Sequence, residues 1–210
     1  MNDAFPATVF VVDDDKTARD AMCALAHSME IPARGFSSAE EFLDFYRDQP
    51  GCLVVDYRLG GLSGLELIDE LERRGHTLPV VLVTAFSRTP IVVKALKSGA
   101  LTVLDKPYDE DDLWCAIRDG LALDRTRRQT RHRRDALLKR FDSLADREVD
   151  VLRLILGGLA NKEMASRLNV SLRTIENRRR KVFTKVGVGS VAELVTAAMT
   201  VRIDRPDLLG

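Results

Sequence analysis

Through its first 120 residues the chain alternates short apolar runs with amphipathic stretches, and that alternation predicts the fold. Residues 8–12, 33–36, 52–55, 80–83 and 101–104 read as five strands separated by four helix-like stretches. The runs VFVV, LVV and VVLV are apolar at every position, as in parallel strands buried on both faces. Ser38 followed by Glu41 marks a helix start as a capping box, and Asp109 stands at the N-cap of the stretch EDDLWCAI. Five βα units predict an α/β domain with a doubly wound five-stranded parallel sheet, whose ligands bind beyond the carboxyl ends of the strands.

The pattern changes after Leu123. The run DRTRRQTRHRRD, residues 124–135, has no large apolar residue, no Gly and no Pro, which excludes it from a core. Its Arg and Gln favour a solvated helical linker, with a disordered tether as the alternative. Beyond it only helices are expected. Ser143 with Asp146 marks a start, and Val149, Leu152, Ile155 and Leu156 recur at helical spacing up to Gly157-Gly158. Helices are expected over residues 162–168, 172–186 and 191–199, the first two joined by a three-residue turn in the outline of a helix-turn-helix. The expected domains are therefore 1–122, a basic linker over 123–140, and an all-α domain over 141–210.

Charge sharpens this division. The chain carries 32 Lys and Arg against 32 Asp and Glu, but residues 1–120 hold 12 against 21 and the remainder 20 against 11. An acidic half suits a cation or phosphate site, and a basic half suits nucleic acid. Cys23, Cys52 and Cys115 are odd in number, without CxxC spacing or His partners, and read as reduced packing residues. The opening MNDAFPATVF lacks a basic n-region, and no apolar stretch approaches the ~20 residues of a membrane span. A cytoplasmic protein without membrane association is expected.

The candidate chemistry lies at strand ends. The first strand ends in Asp13, Asp14 and Asp15, the third in Asp56 and the fourth in Thr84, while the fifth runs into Lys106-Pro107. In a doubly wound sheet these positions converge on one crevice. Clustered carboxylates are costly without a cation, and hard oxygen ligands favour Mg²⁺. An aspartate beside Mg²⁺, with an ammonium and a hydroxyl aimed at the same point, is suited to accept a phosphoryl group.

These residues resemble the receiver domain of two-component response regulators, a flavodoxin-like fold, over residues 6–122. The resemblance rests on VVDDD, LVVDYRLGGLSGLEL, VVLVTA and LDKP. It implies that Asp56 accepts a phosphoryl group from a phosphohistidine on a sensor histidine kinase. Asp14, Asp56 and the backbone carbonyl of Arg58 would then ligate Mg²⁺, Asp13 would act largely through water, and Thr84 and Lys106 would contact phosphoryl oxygens. Two positions depart from the family pattern. Gly60, followed by Gly61, replaces a usual proline and loosens the loop after Asp56. Val103 replaces a usual aromatic residue three positions before the lysine, and Phe86 is bulky beside the site. Asp13-Asp14-Asp15-Lys16-Thr17 also fits the opening motif of haloacid-dehalogenase-type phosphatases. That reading lacks a further acidic strand end and leaves Asp56 and the basic half unexplained, so no enzyme is expected.

The stretch over residues 138–203 resembles the LuxR-type helix-turn-helix of the NarL/FixJ group. Its markers include Asp146-Arg147-Glu148, Asn161-Lys162-Glu163, Thr174-Ile175-Glu176, Lys185 and Gly187-Val188. At ~100° per residue, Ile175, Val182, Phe183 and Val186 form one apolar face. Arg173, Asn177, Arg180, Lys181 and Thr184 lie opposite. The family's base-reading positions fall on Glu176, Asn177 and Arg180; Lys162, Arg173, Arg179, Lys181 and Lys185 are phosphate candidates, and Thr174 belongs to the same surface. Arg178 stands where the family usually has His. The resemblance implies a transcription factor controlled by phosphorylation of Asp56. It would bind double-stranded DNA, act with RNA polymerase, and form a homodimer when phosphorylated through a receiver face near the fifth strand. The alternative is a phosphorylation-independent DNA-binding regulator with a scaffold receiver.

Overall fold

In the computed structural model, residues 6–85, 89–202 and 204–208 are described. Strands β1 (Thr8–Val12), β2 (Ala33–Phe36), β3 (Gly51–Asp56), β4 (Val80–Thr84) and β5 (Thr102–Asp105) form one parallel sheet in the order β2-β1-β3-β4-β5. Helices α1 (Lys16–Ser28), α2 (Ala39–Phe45), α3 (Gly64–Arg73), α4 (Thr89–Lys97) and α5 (Glu110–Asp142) alternate with the strands. The unbroken apolar runs have the expected cause. Phe10, Val12, Leu53, Val55 and Leu82 point to a core shared with α2 and α3, whereas Val9, Val11, Val54, Val81 and Val83 point to a second core shared with α1 and α5. A strand buried on both faces has no polar positions to spare.

Helix starts differ in detail from the sequence expectation. Ser38 does accept from the Glu41 N–H, but the Glu41 carboxylate turns to the N–H and hydroxyl of Ser37, so no reciprocal box forms there. The reciprocal box is at Ser63 and Glu66, opening α3. Asp15 caps α1, accepting from the N–H groups of Thr17 and Ala18.

The basic run corrects the expectation that it stays out of a core. It lies within α5, which is helical throughout, but Asp124 is only 2% exposed. Its Oδ2 accepts from the Gly51 N–H (3.0 Å) and from Arg128 Nε (2.8 Å). Arg128 donates onward to the carbonyls of Asp48 and Gln49, both at 2.9 Å. A charged pair can enter an interior when each remaining donor finds an acceptor. Gly51 itself is required by β1, since a Cβ there would stand 2.0 Å from the Thr8 carbonyl oxygen. The first compact unit therefore extends to Arg128, beyond residue 122, and the second begins at Gln129.

The second unit contains the end of α5 and helices α6 (Asp146–Leu156), α7 (Asn161–Arg167), α8 (Leu172–Val186) and α9 (Val191–Val201). Its core joins Phe141, Val151, Leu152, Ile155, Met164, Ile175, Val182, Val186, Leu194 and Ala198. Ser143 does not cap α6; its hydroxyl donates to the Arg140 carbonyl at the end of α5. The N-cap is Ala145, whose N–H is taken by Glu148. Glu148 is buried and also accepts from Lys185 Nζ at 2.6 Å, tying α6 to α8. Burial pushes the Glu148 carboxyl up, but the Lys185 and Ala145 bonds outweigh it and hold it below the usual range. Among the described residues no single helix is long and apolar enough to cross a membrane.

Asp124→Ala is expected to cost about 3 kcal/mol, because Arg128 is left half-buried beside an unpaired Gly51 N–H; a lower urea midpoint for the first unit checks it. Glu148 has a depressed folded pKa, so its contribution is present above the unfolded value of 4.5 and is lost as pH falls through the folded value. The stability of the second unit is accordingly expected to fall below about pH 4.5 through this group, more steeply than in Glu148→Gln. Urea titrations at stepped pH measure the difference.

Candidate functional site

The sheet order brings the sequence-predicted residues to one edge. Val12 pairs with Val55, so Asp13 follows β1 beside Asp56 at the end of β3. Thr84 pairs with Asp105, so Lys106 leaves β5 next to Thr84, and its N–H donates to the Thr84 carbonyl at 2.8 Å. Asp13 and Thr84 are each 1% exposed and Asp56 is 8% exposed.

One ammonium joins the two buried carboxylates. Lys106 Nζ donates to Asp56 Oδ1 at 2.6 Å and to Asp13 Oδ2 at 3.0 Å. Asp13 Oδ1 accepts from the Asp15 N–H, and Asp56 Oδ2 accepts from the Arg58 N–H. Burial raises the Asp13 pKa, opposed by the bond from Lys106. For Lys106, burial acts downward, but the bonds to Asp56 and Asp13 prevail and raise its pKa. The lysine is thus held charged where it can meet further negative oxygen.

Asp14 is exposed on the loop after β1, and Arg58 is exposed on the loop after β3. Among the described residues no three His, Cys, Asp or Glu side chains form a ready metal cage. The donor set nevertheless fits a hard divalent cation, since Asp13 and Asp56 already face one positive charge and all candidate donors are oxygen. Mg²⁺ in particular needs only one or two carboxylates and keeps several waters.

Val103 is partly buried against the core beneath β5, as a packing residue. Phe86 lies outside the described residues. Sequence reasoning missed Arg19, whose guanidinium donates to the Asp13 carbonyl at 2.6 Å and whose aliphatic stem packs over Gly35. The absent side chain at Gly35 was the available signal.

In the second unit α8 behaves as its helical wheel predicts. Ile175, Val182 and Val186 are buried, while Arg173, Glu176, Asn177, Arg180 and Lys181 are exposed, as is Lys162 on α7. Ser171 caps the helix by accepting from the Thr174 N–H, and Gly187 ends it at φ 76°. Three predicted contact residues have internal partners. Thr174 Oγ1 is 2.8 Å from Ser171 Oγ; Arg179 donates to Asn161 Oδ1 at 3.2 Å and lies over the Phe183 ring; Lys185 is held by Glu148 and the Ser143 carbonyl. A groove of about 490 Å³ runs along Glu176, Arg179 and Arg180 toward Gly189, Ser190 and Val191.

The chain's likeness to known proteins agrees with both surfaces. Residues 9–118 match the response regulator receiver domain, and residues 142–198 match the bacterial regulatory proteins of the luxR family. The transcriptional regulatory protein FixJ of Azorhizobium caulinodans is 37% identical over 192 residues, covering 91% of each chain. The transcriptional regulatory protein TdiR of Thauera aromatica is 34% identical over 92% of this chain and 86% of its own. The solved structure of the response regulator StyR, at 39% identity, matches 93% of this chain and 99% of its own with a TM-score of 0.86. With a receiver sheet and a LuxR-type helix-turn-helix in one chain, the protein belongs to the response-regulator transcription factors of the NarL/FixJ group.

Proposed function

We propose that Asp56 is the phosphoacceptor of this regulator and that its phosphorylation controls sequence-specific DNA binding by α8. The observation that supports this most directly is the position of Asp56 at the rim of the sheet, facing the Lys106 ammonium beside buried Thr84. An Asp56 carboxylate oxygen attacks the phosphorus of a phosphohistidine on a sensor kinase. The P–N bond breaks, an acyl phosphate forms, and the departing imidazole takes up a proton. Lys106 neutralises the incoming phosphoryl oxygens, and Thr84 offers its hydroxyl to one of them. Asp14, Asp56 and the Arg58 carbonyl would hold Mg²⁺, with Asp13 acting largely through water; the cation supplies charge neutralisation at the transferring oxygens. The protein works in the cytoplasm, as a homodimer when phosphorylated, and engages RNA polymerase at its promoters. It accepts a phosphoryl group without turning over a substrate.

On the DNA side, six residues form the proposed contact surface: Glu176, Asn177 and Arg180 toward base edges, and Lys162, Arg173 and Lys181 toward phosphates. Lys185 and Arg179, committed to internal partners, are assigned to orienting α8. The domains are assigned as a receiver over 1–122, a helical linker over 123–140 and a LuxR-type domain over 141–210, with Asp124 and Arg128 of the linker anchored to the receiver.

Incubation with acetyl phosphate and Mg²⁺ is expected to add one phosphoryl group, about 80 Da, absent from Asp56→Asn, with tighter DNA binding and a heavier sedimenting species. An adduct surviving in Asp56→Asn overturns the assignment, and an unchanged monomer overturns the dimer. Arg180→Ala is expected to cost about 1–3 kcal/mol at one base position and to relax the preference there. Arg173→Ala is expected to weaken all sequences alike and lower the salt slope by about 1. Binding to a panel of duplexes across a salt series separates the two.

A further inference from the structure

The loop after Asp56 is fastened at its neck, where the Tyr57 N–H donates to the Val83 carbonyl at 2.8 Å and the Gly64 N–H to the Tyr57 carbonyl at 3.0 Å. Between these points run residues 58–63, including Gly60 and Gly61, which leave the backbone conformationally free. A second fastening comes from outside the loop. Glu40, in the first turn of α2, accepts the Leu62 N–H on Oε1 at 2.9 Å across 22 residues of sequence.

The two glycines are not equivalent toward this carboxylate. A Cβ on Gly61 would stand 2.5 Å from Glu40 Oε1 and 3.1 Å from Oε2, whereas a Cβ on Gly60 would meet nothing within 4 Å. Gly61 thus gives Glu40 the room to reach the Leu62 N–H. That bond holds the Glu40 carboxyl below its usual range, so at neutral pH the contact is a charge-assisted one.

We propose that Glu40 is a positioning residue for the phosphoacceptor loop: by holding Leu62 through the space left at Gly61, it keeps the Arg58 carbonyl placed for the divalent cation. The proposal rests on the reading of Asp56 as phosphoacceptor. Arg58 is already held from one side, since its N–H donates to Asp56 Oδ2. The far side of the loop would otherwise have to be ordered when the cation binds, and that entropy would come out of the affinity. Glu40 does in advance what a proline in the loop would do by covalent restraint.

The test uses the full chain, with Mg²⁺ titrated by calorimetry without a phosphodonor and acetyl-phosphate labelling rates followed against Mg²⁺ concentration. Glu40→Ala is expected to weaken Mg²⁺ binding roughly tenfold, the low end for groups that orient metal ligands. The labelling rate at saturating Mg²⁺ is expected to stay near that of the wild type. Gly61→Ala, which displaces only the end of a flexible side chain, is expected to match it; the double variant should be no worse than either single one. Glu40→Gln retains an acceptor for Leu62 and should keep most of the affinity, and Gly60→Ala should behave as wild type. Hydrogen exchange at the Leu62 amide is expected to quicken in Glu40→Ala, in Gly61→Ala and in the double variant, and to stay at the wild-type rate in Gly60→Ala. Wild-type Mg²⁺ affinity in both variants, additive losses, or an equal loss in Gly60→Ala overturns the role of Glu40 while leaving Asp56 untouched. A wild-type protein that neither binds Mg²⁺ nor accepts a phosphoryl group overturns both readings.

Discussion

The ammonium of Lys106 is the contact on which the receiver site depends. Asp13 and Asp56 are nearly closed off from water on adjacent strands, and two such carboxylates repel at close range unless a positive charge stands between them. Lys106 supplies that charge from the far side of β4, at 2.6 Å from one carboxylate and 3.0 Å from the other. Its reach requires the strand order itself. With β1 beside β3 and β5 beside β4, the three side chains meet over the sheet edge, with Thr84 between them in the row of strand ends. The topology, the burial and the charge balance are therefore one constraint.

The second unit solves a different problem, because α8 must expose cations while holding a core only a few residues wide. It does so by dividing its charges. Glu148 takes Lys185 and Asn161 takes Arg179, which fixes the helix to α6 and α7 from its polar flanks as well as from its apolar face. Arg173, Arg180 and Lys181 remain at the surface. A buried carboxylate such as Glu148 is tolerable only because the Ala145 N–H and the Lys185 ammonium both address it. The pairing commits the Lys185 ammonium to Glu148 and gives the remaining cations of α8 a fixed platform.

Much of this was legible in the chain, for identifiable reasons. Parallel strands buried on both faces leave unbroken apolar runs, so β1, β3 and β4 stood out, and with them the residues at their carboxyl ends. The face of α8 was legible because Ile175, Val182 and Val186 keep helical phase. What was hidden depends on partners distant in sequence. Asp124 and Arg128 sit in a run that looks wholly solvated, and only the Gly51 N–H and the carbonyls of Asp48 and Gln49, more than 70 positions away, reveal their burial. Ser143 was a reasonable cap by residue type, yet Ala145 takes that place because Glu148 satisfies the backbone in its stead. Lys185 is exposed like its neighbours on α8, and only the Glu148 carboxylate beside it reveals its internal partner.

The same charge balance ties the proposed chemistry to a change of state. A phosphoryl group on Asp56 would replace one negative charge with about two, next to an Asp13 carboxylate that remains buried. Beside the divalent cation, the one ammonium shared between Asp13 and Asp56 would meet a new and stronger acceptor. Lys106 would have to favour the phosphoryl oxygens, loosening its hold on Asp13, while its N–H bond to the Thr84 carbonyl ties the end of β5 to β4. A signal shifts an equilibrium only through interactions that differ between its two states. In this receiver that difference would begin at a single nitrogen, bonded to both carboxylates before phosphorylation and drawn toward the phosphoryl group after it.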